Sequence, residues 1–209
     1  ALRISFADRI LEGAARLSID RRDPKAPLVL DTRDLEIRSV QYGGTPLDLE
    51  LGSCDPILGS RLTIDLPPAA DTVEIEYATR PEASGLQWLS PEQTAGKQDP
   101  FLFSQNQSIH ARSWIPLQDS PGVRITYDAR VQAPENLLVL MSAQHKSREG
   151  KEHIFRMDLP IPPYLIALAA GNLDFVPLGV RTGIYAESPV LPAAAREFED
   201  TERLVETVE

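Results

Sequence analysis

Two glutamines separated by a single residue, Gln105 and Gln107, have the side chains best suited to binding chemistry in this sequence. Side chains two positions apart in an extended chain lie on the same face, so both primary amides are expected to point in one direction. Each amide offers two N–H donors and one carbonyl acceptor, which suits a peptide backbone or a free amino terminus. Amides position a ligand but do not transfer protons. The alternative is that both glutamines cap loops or face solvent.

The three histidines do not form a metal-binding pattern. His110 is expected to be a hydrogen-bonded structural residue. His145 and His153 flank the charged stretch 146–152 and are predicted to lie on the surface of a hairpin, where a two-histidine metal site would lack a third ligand. No H-E-x-x-H motif occurs, and the single cysteine, Cys54, excludes a cysteine-based zinc cluster. The chain is therefore expected to hold no metal and no cofactor.

Three other chemical possibilities have simpler explanations. Asp119 and Glu92 are candidates for a general acid and base, but carboxylates in an acidic chain are usually solvated. Trp88 and Trp114 would suit a binding platform, although large aromatic residues beside alternating apolar runs usually belong to the core. Residues 106–108 fit the glycosylation acceptor pattern, but they coincide with the glutamine segment and are interpreted as a chance match.

Apolar residues at every second position predict that these side chains are carried by a mostly β domain. The predicted strands cover residues 15–19, 28–30, 35–37, 47–51, 62–66, 73–77, 123–131, 137–141, 155–159, 165–169 and 181–185. Pro and Gly pairs separate many of these runs, as turns require. Residues 90–107 lack clear alternation and are rich in Gln, Pro and Gly, so we expect a functional loop there. The pattern favours a sandwich or a set of packed sheets.

The carboxyl-terminal end has a different periodicity. Residues at four-three spacing predict one stripe of a helix, formed by Ala194, Phe198, Thr201, Val205 and Val208. We therefore expect a β-sheet domain over residues 1–190 and a helix over residues 191–209. The helix has no Gly or Pro terminator, which predicts that the natural chain continues.

The charge balance restricts the partners of the chain. The formal net charge of −10 repels nucleic acid and anionic lipid, so neither is an expected partner. No apolar run approaches the roughly 18 residues that a membrane-spanning helix needs. The compartment stays open: cytoplasmic, or periplasmic or secreted if a signal peptide has been removed.

Two long segments resemble one protein family. Residues 85–97 read G-L-Q-W-L-S-P-E-Q-T-A-G-K, and residues 100–121 read P-F-L-F-S-Q-N-Q-S-I-H-A-R-S-W-I-P-L-Q-D-S-P. Further on, residues 160–171 read P-I-P-P-Y-L-I-A-L-A-A-G. In this order, they resemble the amino-terminal domain of zinc aminopeptidases of the aminopeptidase N and leukotriene A(4) hydrolase family.

The resemblance implies a saddle-like domain of packed β-sheets whose carboxyl-terminal helix leads into a thermolysin-like catalytic domain. That absent domain of the same polypeptide would carry the zinc and the peptide-cleaving activity, and this chain alone would be inactive. Gln105 and Gln107, with Ser108 beside them, match family residues at the edge of the active-site cleft that contact the peptide substrate. Asn106 and Ser108 replace the Cys and Ala of leukotriene A(4) hydrolase, which argues against epoxide hydrolysis more than against peptide binding.

A stand-alone β-sandwich interaction module is the main alternative. Such a module would have a finished polar surface. A domain separated from its catalytic partner would instead expose apolar side chains.

Overall fold

A computed structural model describes residues 1–209 and is built predominantly from β-strands, as the alternating sequence predicts. The seventeen strands are β1 (Leu2–Ser5), β2 (Ile10–Ser18), β3 (Leu28–Thr32), β4 (Glu36–Tyr42), β5 (Thr45–Pro46), β6 (Leu49–Leu51), β7 (Ser60–Ile64), β8 (Thr72–Ala78), β9 (Leu86–Leu89), β10 (Phe101–Ser104), β11 (Ile125–Gln132), β12 (Leu138–Met141), β13 (Gln144–Glu149), β14 (Glu152–Ile161), β15 (Leu168–Gly171), β16 (Asp174–Pro177) and β17 (Gly183–Ala186). Three single-turn 3-10 helices, Pro91–Gln93, Ala111–Ser113 and Pro163–Leu165, lie between strands. The predicted fold class is confirmed.

The strands form four sheets. The largest has eight strands in the order β13-β14-β11-β1-β2-β8-β4-β5, and only its β1–β11 pair is parallel. A four-stranded sheet has the order β12-β15-β10-β9, a three-stranded sheet the order β3-β7-β6, and β16 pairs with β17. The eight-, four- and three-stranded sheets therefore bring residues from distant parts of the sequence together.

The hydrophobic core joins three of these sheets. In β8, the alternating residues Val73, Ile75 and Tyr77 are all buried, because every second side chain of a strand points to one face. Leu62 of the three-stranded sheet and Leu102 of the four-stranded sheet are fully buried in the same cluster. The sheets consequently share one apolar interior rather than forming separate units.

The carboxyl-terminal helix is divided, unlike the single stripe expected from the sequence. Helix α1 spans Leu191–Glu197 and helix α2 spans Thr201–Val208, with a turn over residues 198–200. Asp200 occupies the N-cap position of α2, and its side chain favours helix caps over helix interiors. Phe198 and Val208 of the expected stripe are exposed. The division into residues 1–190 and 191–209 stays a prediction. Neither helix is long and apolar enough to cross a membrane.

His153 corrects the surface interpretation of the β13–β14 hairpin. The hairpin is present and His145 is exposed, but the side chain of His153 is completely buried. His153 pairs with Val131 on one side and with Arg148 on the other, so it lies inside the sheet. Its ring stacks on Phe155 at 7° with 6.4 Å between centroids, and neither ring nitrogen has a hydrogen-bond partner.

Candidate functional site

In the segment that follows β10, buried and exposed side chains alternate. Gln105, Gln107 and Ser108 are exposed, whereas the side chain of Asn106 between them is only 2% exposed. The two glutamines therefore lie on the outer side of an extended segment, as their spacing predicts. The Gln105 N–H donates to the Gly85 carbonyl at 2.9 Å, and the Gln107 N–H donates to Oε1 of Gln105 at 3.2 Å. The Gln107–Ser108 peptide bond is cis.

Asn106 anchors this segment to two other parts of the fold. Its Nδ2 donates to the Ile166 carbonyl, and its Oδ1 accepts a hydrogen bond from Trp114 Nε1 at 2.8 Å. Its backbone carbonyl accepts the His110 N–H at 2.9 Å. Both polar ends of a buried amide are thus satisfied, as burial demands. This role of Asn106 was not predicted, although an Asn between two exposed residues of an extended segment signals an inward-facing amide.

The turn around Gly85 closes over the same segment. The Gly85 N–H donates to Ser113 Oγ at 2.9 Å, and Ser113 Oγ donates to the His110 carbonyl at 2.8 Å. The Ser84 hydroxyl lies 2.8 Å from Nδ1 of His110. His110 is therefore hydrogen-bonded and structural, as predicted.

A buried ion pair fixes the chain immediately after the segment. Nε of Arg112 donates to Oδ2 of Asp119 at 3.1 Å, and both side chains are almost fully buried. The Arg112 guanidinium also donates to the carbonyls of Asp119 and Leu58, each at 2.7 Å. Asp119 N–H donates in turn to Asp31 Oδ2 at 2.8 Å, which connects this region to β3. These bonds join the glutamine-bearing segment to the three-stranded sheet.

The carboxylates weighed as an acid–base pair have other partners. Asp119 is committed to Arg112, and the exposed Glu92 accepts a hydrogen bond from Ser90 Oγ at 2.6 Å. The Ser90 hydroxyl and a backbone N–H hold the pKa of Glu92 below its usual value, so this group is a poor proton donor near neutral pH. The geometry does not support acid–base catalysis by these two residues.

The remaining alternatives are structural as well. Trp114 is completely buried, and the half-buried Trp88 packs edge-on against Phe6 with ring centroids 5.6 Å apart, which confirms the core interpretation. Asn106 is inaccessible to a glycosylating enzyme because both ends of its amide are enclosed. The glycosylation pattern is therefore a chance match.

The chain offers no set of side chains that fits zinc. No three His, Cys, Asp or Glu residues lie close enough together to hold a metal ion. His145 and His153 have ring centroids 5.6 Å apart, but no third ligand accompanies them. A structural zinc site needs four ligands, and a catalytic site needs three from the protein.

The exposed segment carries polar groups without partners beside an exposed apolar side chain. The Gln107 side-chain amide makes no hydrogen bond within the chain, so its donors and acceptor are free for a ligand. Leu165, adjacent to the Ile166 carbonyl that Asn106 holds, is 48% exposed and adds an apolar element to this region. A charged groove of about 330 Å³ lies elsewhere, on the eight-stranded sheet, and includes none of the three predicted site residues.

The fold and this loop define a multi-sheet β domain with an exposed polar segment after β10. The chain belongs to the peptidase M1 N-terminal domain family, whose model matches residues 1–165.

Two relatives illustrate the similarity in sequence. The chain is 40% identical to leucine aminopeptidase 2 of Yarrowia lipolytica and 38% identical to leukotriene A-4 hydrolase of Xenopus laevis. All of this chain aligns with each of them, but it covers only 33% and 36% of their lengths. The chain thus spans about a third of these relatives.

Solved structures give the same result for the fold. Yeast LTA4 hydrolase in complex with bestatin superposes on 99% of this chain with a TM-score of 0.91 and 34% sequence identity. This chain covers 33% of that structure. An M1 zinc metallopeptidase from Deinococcus radiodurans, with a TM-score of 0.63 and 19% identity, shares the fold alone.

Proposed function

We propose that this chain is the non-catalytic amino-terminal part of a zinc metallo-aminopeptidase that removes amino-terminal residues from peptides. Its catalytic domain would lie in the same polypeptide and supply the zinc. In this proposal, the β domain braces the catalytic domain and forms one wall of the substrate cleft. Gln105, Gln107 and Ser108 are its contacts to the peptide.

One arrangement carries the proposal. The buried Asn106 amide fixes the backbone, while both neighbouring glutamines are exposed. Oε1 of Gln105 accepts the Gln107 N–H, and the Gln107 side-chain amide has no hydrogen-bond partner within the chain. Primary amides donate to and accept from peptide groups, so this pair is suited to a peptide and lacks the groups for bond cleavage. A relative described as leucine aminopeptidase 2 supports the peptide substrate class.

The exposed apolar side chains favour a domain with a partner over a stand-alone interaction module. Fourteen large apolar residues are exposed, among them Ile57, Leu159, Val180, Phe198, Leu204 and Val208. Single exposed apolar residues are ordinary on a protein surface, so the support comes from those that lie together: Phe175 and Tyr185 pack against each other at 4.6 Å and are 50% and 45% exposed. The catalytic domain is the partner that the proposal assigns to part of this surface.

Kinetics of glutamine variants test the substrate contact. In the full-length aminopeptidase, Gln107→Ala should raise KM for a peptide substrate about tenfold, because one lost hydrogen bond is worth about 1 to 1.5 kcal/mol. The value of kcat should change by less than about twofold, as expected for a contact made equally in the ground state and the transition state. Gln105→Ala should act in the same direction.

Gln144→Ala is the matched control, because Gln144 is an exposed glutamine on β13, in a different sheet from the strand that precedes Gln105. It should leave both constants unchanged. Unchanged KM in both Gln105→Ala and Gln107→Ala would remove these glutamines from the substrate site.

A further inference from the structure

We infer that Asn106 is the positioning residue of the substrate-contact segment, residues 105–108. Its buried amide holds Gln105 and Gln107 in the orientation that contacts the peptide. The inference rests on the proposed function, since it assigns the cause of an orientation that matters only if the glutamines contact substrate. Asn106 itself touches no substrate, because its side chain is only 2% exposed.

The two hydrogen bonds of the Asn106 side chain act from opposite sides. Nδ2 is bonded to the Ile166 carbonyl, 60 residues further along the chain, and Oδ1 is bonded to Trp114 Nε1 at 2.8 Å. Trp114 is completely buried, so its indole N–H is a fixed donor. An amide with both ends bonded to fixed groups has one orientation, and the adjacent backbone follows it.

The rest of the segment depends on that orientation. The side chains of residues 105 and 107 point away from that of residue 106. A change in the backbone conformation at Asn106 would therefore reorient both glutamine side chains. The Asn106 backbone carbonyl also accepts the His110 N–H at 2.9 Å, which closes the loop behind Gln107 and Ser108. Groups that contact a substrate need support of this kind, because small displacements of a contact group weaken binding strongly.

A double-mutant cycle in the full-length aminopeptidase tests this role. Asn106→Ala should raise KM for a peptide substrate about tenfold with kcat within about twofold. If Asn106 acts through the glutamines, the same substitution in a Gln105→Ala/Gln107→Ala background should change KM by less than about twofold. An equal fold-change of KM in both backgrounds, or a loss of apparent kcat with KM unchanged, would overturn the inference, since the second outcome is what a role limited to stability produces.

Trp114→Phe provides a second variant in case Asn106→Ala does not fold. It removes the indole N–H that fixes Asn106 Oδ1 and keeps an aromatic ring in the core. We expect a two- to fivefold increase in KM that also disappears when both glutamines are alanine. No change in KM, or an equal change in both backgrounds, would contradict the inference.

Asn136→Ala is the matched control, since Asn136 is exposed and its amide bonds only to Asp99. It should leave KM unchanged.

Failure of the inference and failure of the proposed function give different results. If the glutamine variants themselves leave KM unchanged, the substrate contact is wrong and the inference falls with it. If they raise KM but Asn106→Ala and Trp114→Phe do not, only the positioning role is wrong.

Discussion

Arg112 and Asp119 show how a buried charge stabilises the segment beside the candidate site. The guanidinium donates to the Asp119 carboxylate and to two backbone carbonyls, while the Arg112 N–H donates to the same carboxylate at 3.1 Å. Asp31 lies within 3.6 Å of the guanidinium as a second, half-exposed carboxylate. A pair with this many hydrogen bonds tolerates burial, but removal of one partner leaves the other charge uncompensated.

Arg112→Ala should therefore reduce the free energy of unfolding by about 3 to 5 kcal/mol, measured by urea denaturation of this chain. Arg203→Ala is the matched control. Arg203 forms an exposed ion pair with Asp200 at 3.9 Å, and such pairs contribute less than about 1 kcal/mol. Equal losses in the two variants would show that the Arg112 network is not a major source of stability.

His153 makes the stability of the β13–β14 hairpin depend on pH. Burial, followed by the charges of Arg148 and His145, lowers the pKa of His153 from 6.5 to about 4. An unfolded histidine takes up a proton near pH 6.5, whereas the folded one stays neutral until about pH 4. The unfolded state therefore binds more protons between these values, and stability falls as the pH falls through this window.

His153→Phe should weaken this dependence. Phe keeps an aromatic ring beside Phe155 and has no group that titrates. We expect the free energy of unfolding of the variant to fall less between pH 6.5 and pH 4 than that of the unaltered chain, measured by urea denaturation across this range. Parallel curves for the two proteins would show that His153 takes up its proton equally in both states.

At the scale of elements, the turn before β9 and the segment that carries Gln105 and Gln107 are in direct contact at Gly85. A Cβ at this position would lie 2.6 Å from the His110 carbonyl oxygen and 2.9 Å from both Asn106 Oδ1 and Ser113 Oγ. No Cβ fits at these distances without movement of the segment. The absence of a side chain at Gly85 therefore lets the two elements approach each other.

Gly85→Ala should destabilise the chain by about 1 to 3 kcal/mol, as overpacking of a close contact does. Gly122→Ala is the control, because its nearest neighbour, Ser120 Oγ, is 3.9 Å from the added Cβ. Its effect should stay within about 0.5 kcal/mol. The free energies of unfolding of the two variants are compared by thermal or urea denaturation. An unchanged value for Gly85→Ala would show that the segment moves to accommodate the added Cβ without loss of stability.

The sequence predicts elements where burial alternates and misses them where it does not. Residues 73–77 and 123–131 are strands because each buries one face, and they agree with β8 and β11 within one or two residues. Strand β13 is exposed at all six positions and therefore has no apolar alternation to detect. Strand β10 lies within the segment expected to be a loop, and its four residues are too few to show a period.

The candidate site was likewise predicted only in part from the sequence. The shared face of Gln105 and Gln107 follows from their spacing alone. The contacts that hold them come from Ile166 and Trp114, which no local pattern connects to residue 106. The burial of His153 also depends on strands β11 and β13 on either side, so a local interpretation placed it at the surface.

At the scale of the whole molecule, the carboxyl-terminal region exposes aromatic surface. Phe175 and Tyr185 pack against each other at 4.6 Å across the β16–β17 pair, and each is about half exposed. Phe198, between the two helices, is 53% exposed. Such surface is what a domain that packs against another domain would present.

Hydroxyl-radical footprinting tests whether this surface is covered. We expect oxidation of Phe175, Tyr185 and Phe198 to be several-fold lower in the full-length protein than in this chain. Phe155, buried in both cases, is the internal control. Equal oxidation in the two proteins would favour a stand-alone interaction module with a finished surface.

The most direct test of the account is a comparison of hydrolytic activity between this chain and the full-length polypeptide. Both are assayed with an aminoacyl chromogenic substrate, with zinc present and after its removal by a chelator. We predict zinc-dependent hydrolysis by the full-length polypeptide and none by residues 1–209, which hold no set of zinc ligands. An inactive full-length protein, or hydrolysis by the chain alone, would contradict the account.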